Sequence, residues 1–134
     1  MIREEALWWI RVAKKDLERA RYSLEKSDKA ASLFWSQQAV EKALKALHIA
    51  LTGDAPKTHN IRRLCEAVRQ FLDLDESVLE KAYELTQYYF ITRYPDLVEG
   101  LPDEIISYNT AKEGLLVAER IVEAAEKTLG KTVE

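Results

Sequence analysis

Apolar residues in this chain recur at alternating spacings of four and three through long uninterrupted stretches. That rhythm admits little besides amphipathic α-helices. The first stripe is Ala6, Ile10, Ala13, Leu17, Ala20 and Leu24, on a helix expected over about residues 4–26, with Trp8 and Trp9 widening its start. A second helix begins at Ser27 or Asp28, either of which can accept from free backbone N–H groups. It runs to about Leu51, where Thr52-Gly53-Asp54-Ala55-Pro56 ends it with a glycine and then a proline. Its apolar stripe is Leu33, Gln37, Val40, Leu44, Leu47 and Leu51, beside a row of small residues, Ala39, Ala43, Ala46 and Ala50. Two such faces on one helix predict a central position with partners on both sides.

A third helix is expected to start between Thr58 and Asn60 and to cover residues 61–71. After the link Leu72-Asp73-Leu74-Asp75, a fourth helix capped by Asp75 carries Val78 or Leu79, Ala82, Leu85, Thr86 and Tyr89. It stops before Pro95, because a residue preceding proline is pushed out of helical geometry. Residues 93–102 hold two prolines and Gly100 and read as a loop. A last helix over about residues 103–128 carries Ala111, Leu115, Ala118, Val122, Ala125 and Leu129. Short links make neighbours antiparallel. The expected fold is therefore all-α, an antiparallel up-and-down bundle of four to five helices, one domain over residues 1–134.

Composition supports that reading and excludes several function classes. Hydrophobic residues are 47% and charged residues 32% of the chain, a globular rather than a disordered profile. The net charge of −3, with both signs interleaved, argues against broad sequence-blind nucleic-acid binding and leaves room only for a local basic site. A lone cysteine, Cys65, cannot form an intrachain disulfide and reads as a packing residue. The opening MIREEALWWI places acids where a secretory leader needs bases, and no apolar run reaches the ~18 residues of a membrane span. A cytoplasmic protein with no membrane association is expected.

Three places depart from plain amphipathic helix. Gln37 falls inside an apolar stripe, where its amide needs a partner, and Asp16 at the edge of the first stripe could supply one. Around it, Lys42 and Lys45 either belong to an interhelical polar contact or line a groove that holds a phosphate. Thr58-His59-Asn60 opens the third helix, where free N–H groups suit an anion and where Thr58 or Asn60 can equally cap. His59 is either a surface and capping residue or a ligand contact. His48, inside the second helix, reads as structural. Finally, Tyr88-Tyr89-Phe90-Ile91-Thr92-Arg93-Tyr94-Pro95-Asp96 concentrates aromatic and charged groups where a helix meets a rigid turn. Tyrosine and arginine can stack on a base, and arginine can grip a phosphate through two N–H groups. Alternatively the aromatics seal the end of the bundle and Arg93 pairs with Asp96.

Taken in order, these segments resemble the HEPN domain family. Trp9, Ala13, Asp16-Leu17 and Ala20 are similar to its opening helix, and Gln37-Gln38-Ala39-Val40-Glu41-Lys42-Ala43-Leu44-Lys45-Ala46 to its second. Thr58-His59 with Leu64, and then Thr92-Arg93-Tyr94-Pro95-Asp96, match its later elements. The resemblance implies an up-and-down helical bundle, often a homodimer, in a family described as nucleotide-binding. It also implies a minimal nucleotidyltransferase as partner in a prokaryotic toxin–antitoxin module. Many HEPN proteins are metal-independent ribonucleases with an Arg-x(4–6)-His motif, in which histidine handles the 2′-hydroxyl proton and arginine supports the phosphate. Here the positions reached from Arg93 by that spacing are Val98, Glu99 and Gly100, and neither histidine has an arginine at the required distance upstream.

The expected function is accordingly a non-catalytic HEPN-like module, without cofactor or metal. It would bind a nucleotide or RNA phosphate through Lys42, Lys45, His59, Arg93, Tyr94 and Asp96. Two alternatives stand beside it. One is a protein partner of a nucleotidyltransferase with no ligand of its own. The other is a ribonuclease whose site draws His59 and Arg93 from different elements.

Overall fold

The predicted stripes become the faces of long helices in the computed structural model, which describes residues 3–133. These are α1 (Glu4–Glu25) and α2 (Lys29–Thr52), followed by the shorter α3 (Ile61–Glu66), α4 (Glu76–Glu84), α5 (Thr86–Ile91) and α6 (Pro102–Ile105), and then α7 (Tyr108–Val133). One-turn 3-10 segments occupy Arg69–Phe71 and Pro95–Leu97, and no strand occurs among the described residues.

Cross-chain contacts fix the directions. Lys14 meets Glu126 and Arg21 meets Glu119, so α1 and α7 are antiparallel. Asp16 meets Lys42 while Ser32 Oγ donates to the Ala20 carbonyl, so α1 and α2 are antiparallel as well. Lys81 pairs with Glu113 and Thr128 Oγ1 donates to the Phe71 carbonyl, which sets α4 against α7 in the opposite sense. The result is an all-α antiparallel up-and-down bundle, with α4 and α5 together as its third member and α3 set in the crossover.

All six members of the α1 stripe and all six of the α7 stripe are buried. Trp8 differs from expectation: it lies on the outer face, 55% exposed, whereas Trp9 is half-buried. The central position of α2 follows from burial nearly all round, including Leu33, Val40, Leu44 and Leu47 on one face and Ala39, Ala43 and Ala46 on the other. Leu51 differs from expectation and ends up exposed at the last turn of the helix. Close approach of α7 to α2 needs Gly114, since a Cβ there would fall 2.5 Å from Leu33 Cδ2.

Several boundaries differ from the periodic reading, each for a local reason. Asp28 rather than Ser27 caps α2, accepting from the Ala31 N–H, while Ser27 takes a left-handed conformation at φ 61°. Asp103 adds a second cap from α6, accepting from the Lys29 and Ala30 N–H groups. Gly53, at φ 91°, closes the other end of α2 with its N–H on the Ile49 carbonyl. Helix α3 stops at Glu66, and its expected remainder is a 3-10 turn. Asp75 makes no side-chain cap to α4. The fourth helix tightens at Leu85, where N–H groups reach back three residues, which divides it into α4 and α5. Ser107 Oγ accepts from the Thr110 N–H and starts α7, leaving α6 as a separate turn instead of the beginning of one long final helix.

Candidate functional site

One stripe of α2 escapes burial: Ala31, Phe34, Trp35, Gln38, Lys42 and Lys45 are all half-buried at helical spacing. They form the floor of a groove between α1 on one side and the α3 and α5 ends on the other. Two chains of contacts run along it, and both arrive at Arg93.

The first begins at Lys42. Its Nζ lies 2.6 Å from Asp16 Oδ2, and Asp16, fully buried, also takes the Arg19 guanidinium at 2.6 Å on Oδ1. The Arg19 guanidinium carbon sits 5.1 Å from the Trp35 ring centre. Trp35 meets Phe34 edge to face at 5.0 Å, and the Arg93 guanidinium lies 5.9 Å from Phe34. The second begins at Lys45, which pairs with Glu41 Oε2 at 3.1 Å and lies 5.7 Å from the Trp9 ring. Glu41 Oε1 holds His59 Nδ1 at 2.9 Å and accepts from Gln37 Nε2. The His59 ring stacks on Tyr89 with centres 3.8 Å apart, and Tyr89 carries Arg93 at 4.9 Å.

The structure thus brings Lys42, Lys45, His59, Arg93 and Tyr94 to one surface, with the exposed Tyr94 ring 6.0 Å from Arg93. Asp96 stands apart, exposed in the 3-10 turn, with no hydrogen bond or ion pair among the described residues. Arg93 does not pair with it. Charge along the groove is uneven. Arg19, Lys42, Lys45 and Arg93 face Asp16, Glu41 and, beside Arg93 at the start of α2, Asp28, which leaves a slight positive excess in a chain of net charge −3. The lysines are each held by a buried carboxylate. Arg93 is exposed and has no carboxylate within 4 Å among the described residues.

Other polar expectations resolve as follows. Asp16 is not the partner of Gln37; its two lone-pair faces are taken by cations, which bind a carboxylate more strongly than an amide does. Gln37 instead donates to Glu41 and the His59 carbonyl and accepts from Gln38. Asn60 caps α3 by accepting from the Arg63 N–H, and Thr58 Oγ1 accepts from the Asn60 N–H. His48 is structural, buried with Nε2 2.6 Å from the Leu64 carbonyl oxygen. Cys65 is buried, and desolvation pushes its thiol above the usual range. Burial, with its hydrogen bond to Cys65, raises Tyr83 to about 12. Desolvation likewise raises Tyr88, on the α7 side of the bundle.

Phe34, Trp35, Arg19 and the anchoring role of Glu41 escaped the sequence reading. The signal was present: once two faces of α2 are assigned to the core, the stripe left over must face outward. The third long row on that helix holds its bulkiest aromatics, Phe34 and Trp35, with Lys42 and Lys45.

An up-and-down bundle with a cationic, aromatic row along its central helix defines a helical-bundle protein. The HEPN domain profile matches residues 6–128, and the chain belongs to the HEPN domain family. It is similar to TT1696 from Thermus thermophilus, with 34% identity, a TM-score of 0.85, and 94% of this chain and 99% of that one covered. ST0689, an archaeal HEPN homologue, shares 31% identity at a TM-score of 0.74 over 92% and 97% of the two chains. "Putative toxin MJ1304" of Methanocaldococcus jannaschii is 29% identical over 131 residues, covering 90% of this chain and 86% of its own. Among the described residues no helix is long and apolar enough to cross a membrane, and no group of three or more acidic, histidine or cysteine side chains is placed to hold a metal.

Proposed function

We propose that this chain is a non-catalytic HEPN module that binds a nucleotide or RNA phosphate in the α2 groove, with Arg93 as the principal contact. The observation that carries this reading is Arg93 itself. It is an exposed guanidinium without a carboxylate partner, held against Tyr89, Phe34 and Tyr94. An arginine fixed over rings loses little freedom on gripping a phosphate, and the rings offer faces for a base. Lys42 and Lys45 contribute field rather than direct bonds, since each is already engaged. The name "Putative toxin MJ1304" of the Methanocaldococcus relative supports a place in a toxin–antitoxin pair. To this the proposal adds a cytoplasmic homodimer opposed by a nucleotidyltransferase partner, as the resemblance to the family implies.

A thermal-shift titration with nucleotides and a short RNA tests the reading. Any ligand that binds only the folded state raises the melting temperature in a dose-dependent way. That rise is expected for wild type and absent in Arg93→Ala. No shift with any ligand at millimolar concentration would remove the ligand and leave the protein-partner role.

One observation favours a second reading, the ribonuclease with a non-standard site. Glu41, 4% exposed, orients His59 through Nδ1, and Nε2 has no partner among the described residues. A carboxylate that fixes one ring nitrogen leaves the other as a proton acceptor. Cleavage of RNA by wild type that disappears in both His59→Ala and Arg93→Ala would establish it. Cleavage that persists in both would point to a contaminant.

A further inference from the structure

On the α7 side of the bundle, away from the α2 groove, an open cavity of about 240 Å³ lies between the α4–α5 junction and α7. Its inner wall is apolar: Leu85, Gly114 and Val117, each buried, together with Leu33. Gly114 lets that wall close up, since a Cβ there would fall 2.5 Å from Leu33 Cδ2 and 3.3 Å from Leu85 Cδ2. The mouth carries the charge. Lys81 Nζ is spent on Glu113 Oε1 at 2.9 Å, which leaves Glu84, whose carboxylate has no hydrogen bond or ion pair among the described residues. Thr110 Oγ1 already accepts from Ser107. Tyr88, half-buried, completes the mouth, and its phenol likewise has no hydrogen-bond partner among the described residues. Desolvation pushes that phenol up, and Glu84 and Glu113 add to the rise, so both carboxylates act on the ring.

The cavity is thus one positive charge short, beside an aromatic face and an apolar wall. We propose that it binds a primary alkylammonium group, its nitrogen between the Glu84 carboxylate and the Tyr88 ring and its methylene stem along Leu85 and Val117. A cation is attracted by the face of a ring as well as by a carboxylate, and a methylene stem gains by leaving water. An anion meets two carboxylates, and a neutral polar group leaves the Glu84 charge uncompensated. The site shares no residue with the phosphate-binding surface and stands or falls apart from it. A free amine and the side chain of a lysine on another protein present the same group, and backbone amides flanking the stem distinguish the two.

The test follows backbone amide shifts of the isotope-labelled protein by NMR, at constant pH and salt. The probes are butylamine, hexylamine, butanol, butyrate, and lysine capped at both backbone ends. The two amines are expected to move amides of residues 81–88 and 110–117 in a saturable way, hexylamine about threefold more tightly for its longer stem. Butanol and butyrate should leave those amides still. Glu84→Gln weakens hexylamine about fivefold, the scale of an exposed ion pair, and Tyr88→Leu by a similar factor, with Tyr88→Phe near wild type. Capped lysine that binds more tightly than butylamine identifies a protein side chain as the source, and the reverse a free amine. Amides that move over the whole surface, or butanol or butyrate equal to butylamine, overturn the inference. Glu84→Gln and Tyr88→Leu that fold and bind normally overturn it too, as does no movement with either amine at high millimolar concentration.

Discussion

At the scale of single residues, buried charge dominates. Asp16 is fully buried and pairs with both Lys42 and Arg19. Removing it leaves Lys42, whose side chain is only 20% exposed, without a counter-charge. Asp16→Ala is expected to cost about 3 kcal/mol in urea unfolding, the lower end for a broken buried pair, because the more exposed Arg19 can turn to water. Alkaline titration gives a second outcome. Tyr83 is raised from 10.0 to about 12 by burial and by Cys65, so between those values the unfolded chain loses a proton that the folded one keeps. Stability present below pH 10 therefore falls as pH rises through 12, and Cys65 and Tyr88, also raised, add to the same trend. Melting temperature against pH should fall less steeply above pH 10 in Tyr83→Phe. A parallel pair of curves would count against this account. The polarity of Gln37 was legible in the sequence as a buried amide in need of partners. Its partners were not, because Glu41 one turn on and the His59 carbonyl across the crossover satisfy it only in three dimensions.

At the scale of elements, helix ends set the differences between expectation and structure. Periodicity locates a helix well and its end poorly, because the last turn depends on one cap. Asp103 lies far along the chain from α2, yet it holds two of that helix's first donors. Asp103→Ala should cost about 1–2 kcal/mol, read as a fall in melting temperature of a few degrees. A fall no larger than that of a surface substitution such as Glu104→Ala would show the cap to be idle. The opposite change is expected at Ser27, whose φ of 61° suits glycine. Ser27→Gly should raise stability by roughly 0.5 kcal/mol, net of the extra freedom glycine gives the unfolded chain. The split of the fourth helix at Leu85 had no sequence signal, since its backbone angles remain helical and only the hydrogen-bond spacing changes.

At the scale of the whole molecule, the fold was legible almost entirely, because three long stripes and short links leave few ways to bury apolar surface. The site was legible only as separate fragments. Lys42 lies in α2, His59 in the link before α3 and Arg93 in the turn after α5, and nothing in their spacing says that Tyr89 and Phe34 join them. Helix α2, covered on most sides, should hold the slowest-exchanging amides in native-state hydrogen exchange, around residues 39–49. Residues 93–107, with little burial, should exchange fastest. Equal protection of the two would contradict the central role of α2.

Helix α2 is both the keel of the bundle and the floor of the groove. The alanines at 39, 43 and 46 admit no larger side chain without forcing neighbouring helices apart. The groove therefore has a fixed width and a replaceable lining. Exchange at positions 31, 35 and 38 would change that lining while the scaffold stays still, whereas Lys42 and Lys45 are tied to it through the buried Asp16 and Glu41. Selection on this fold would act like retuning an instrument with a rigid frame, through its strings alone.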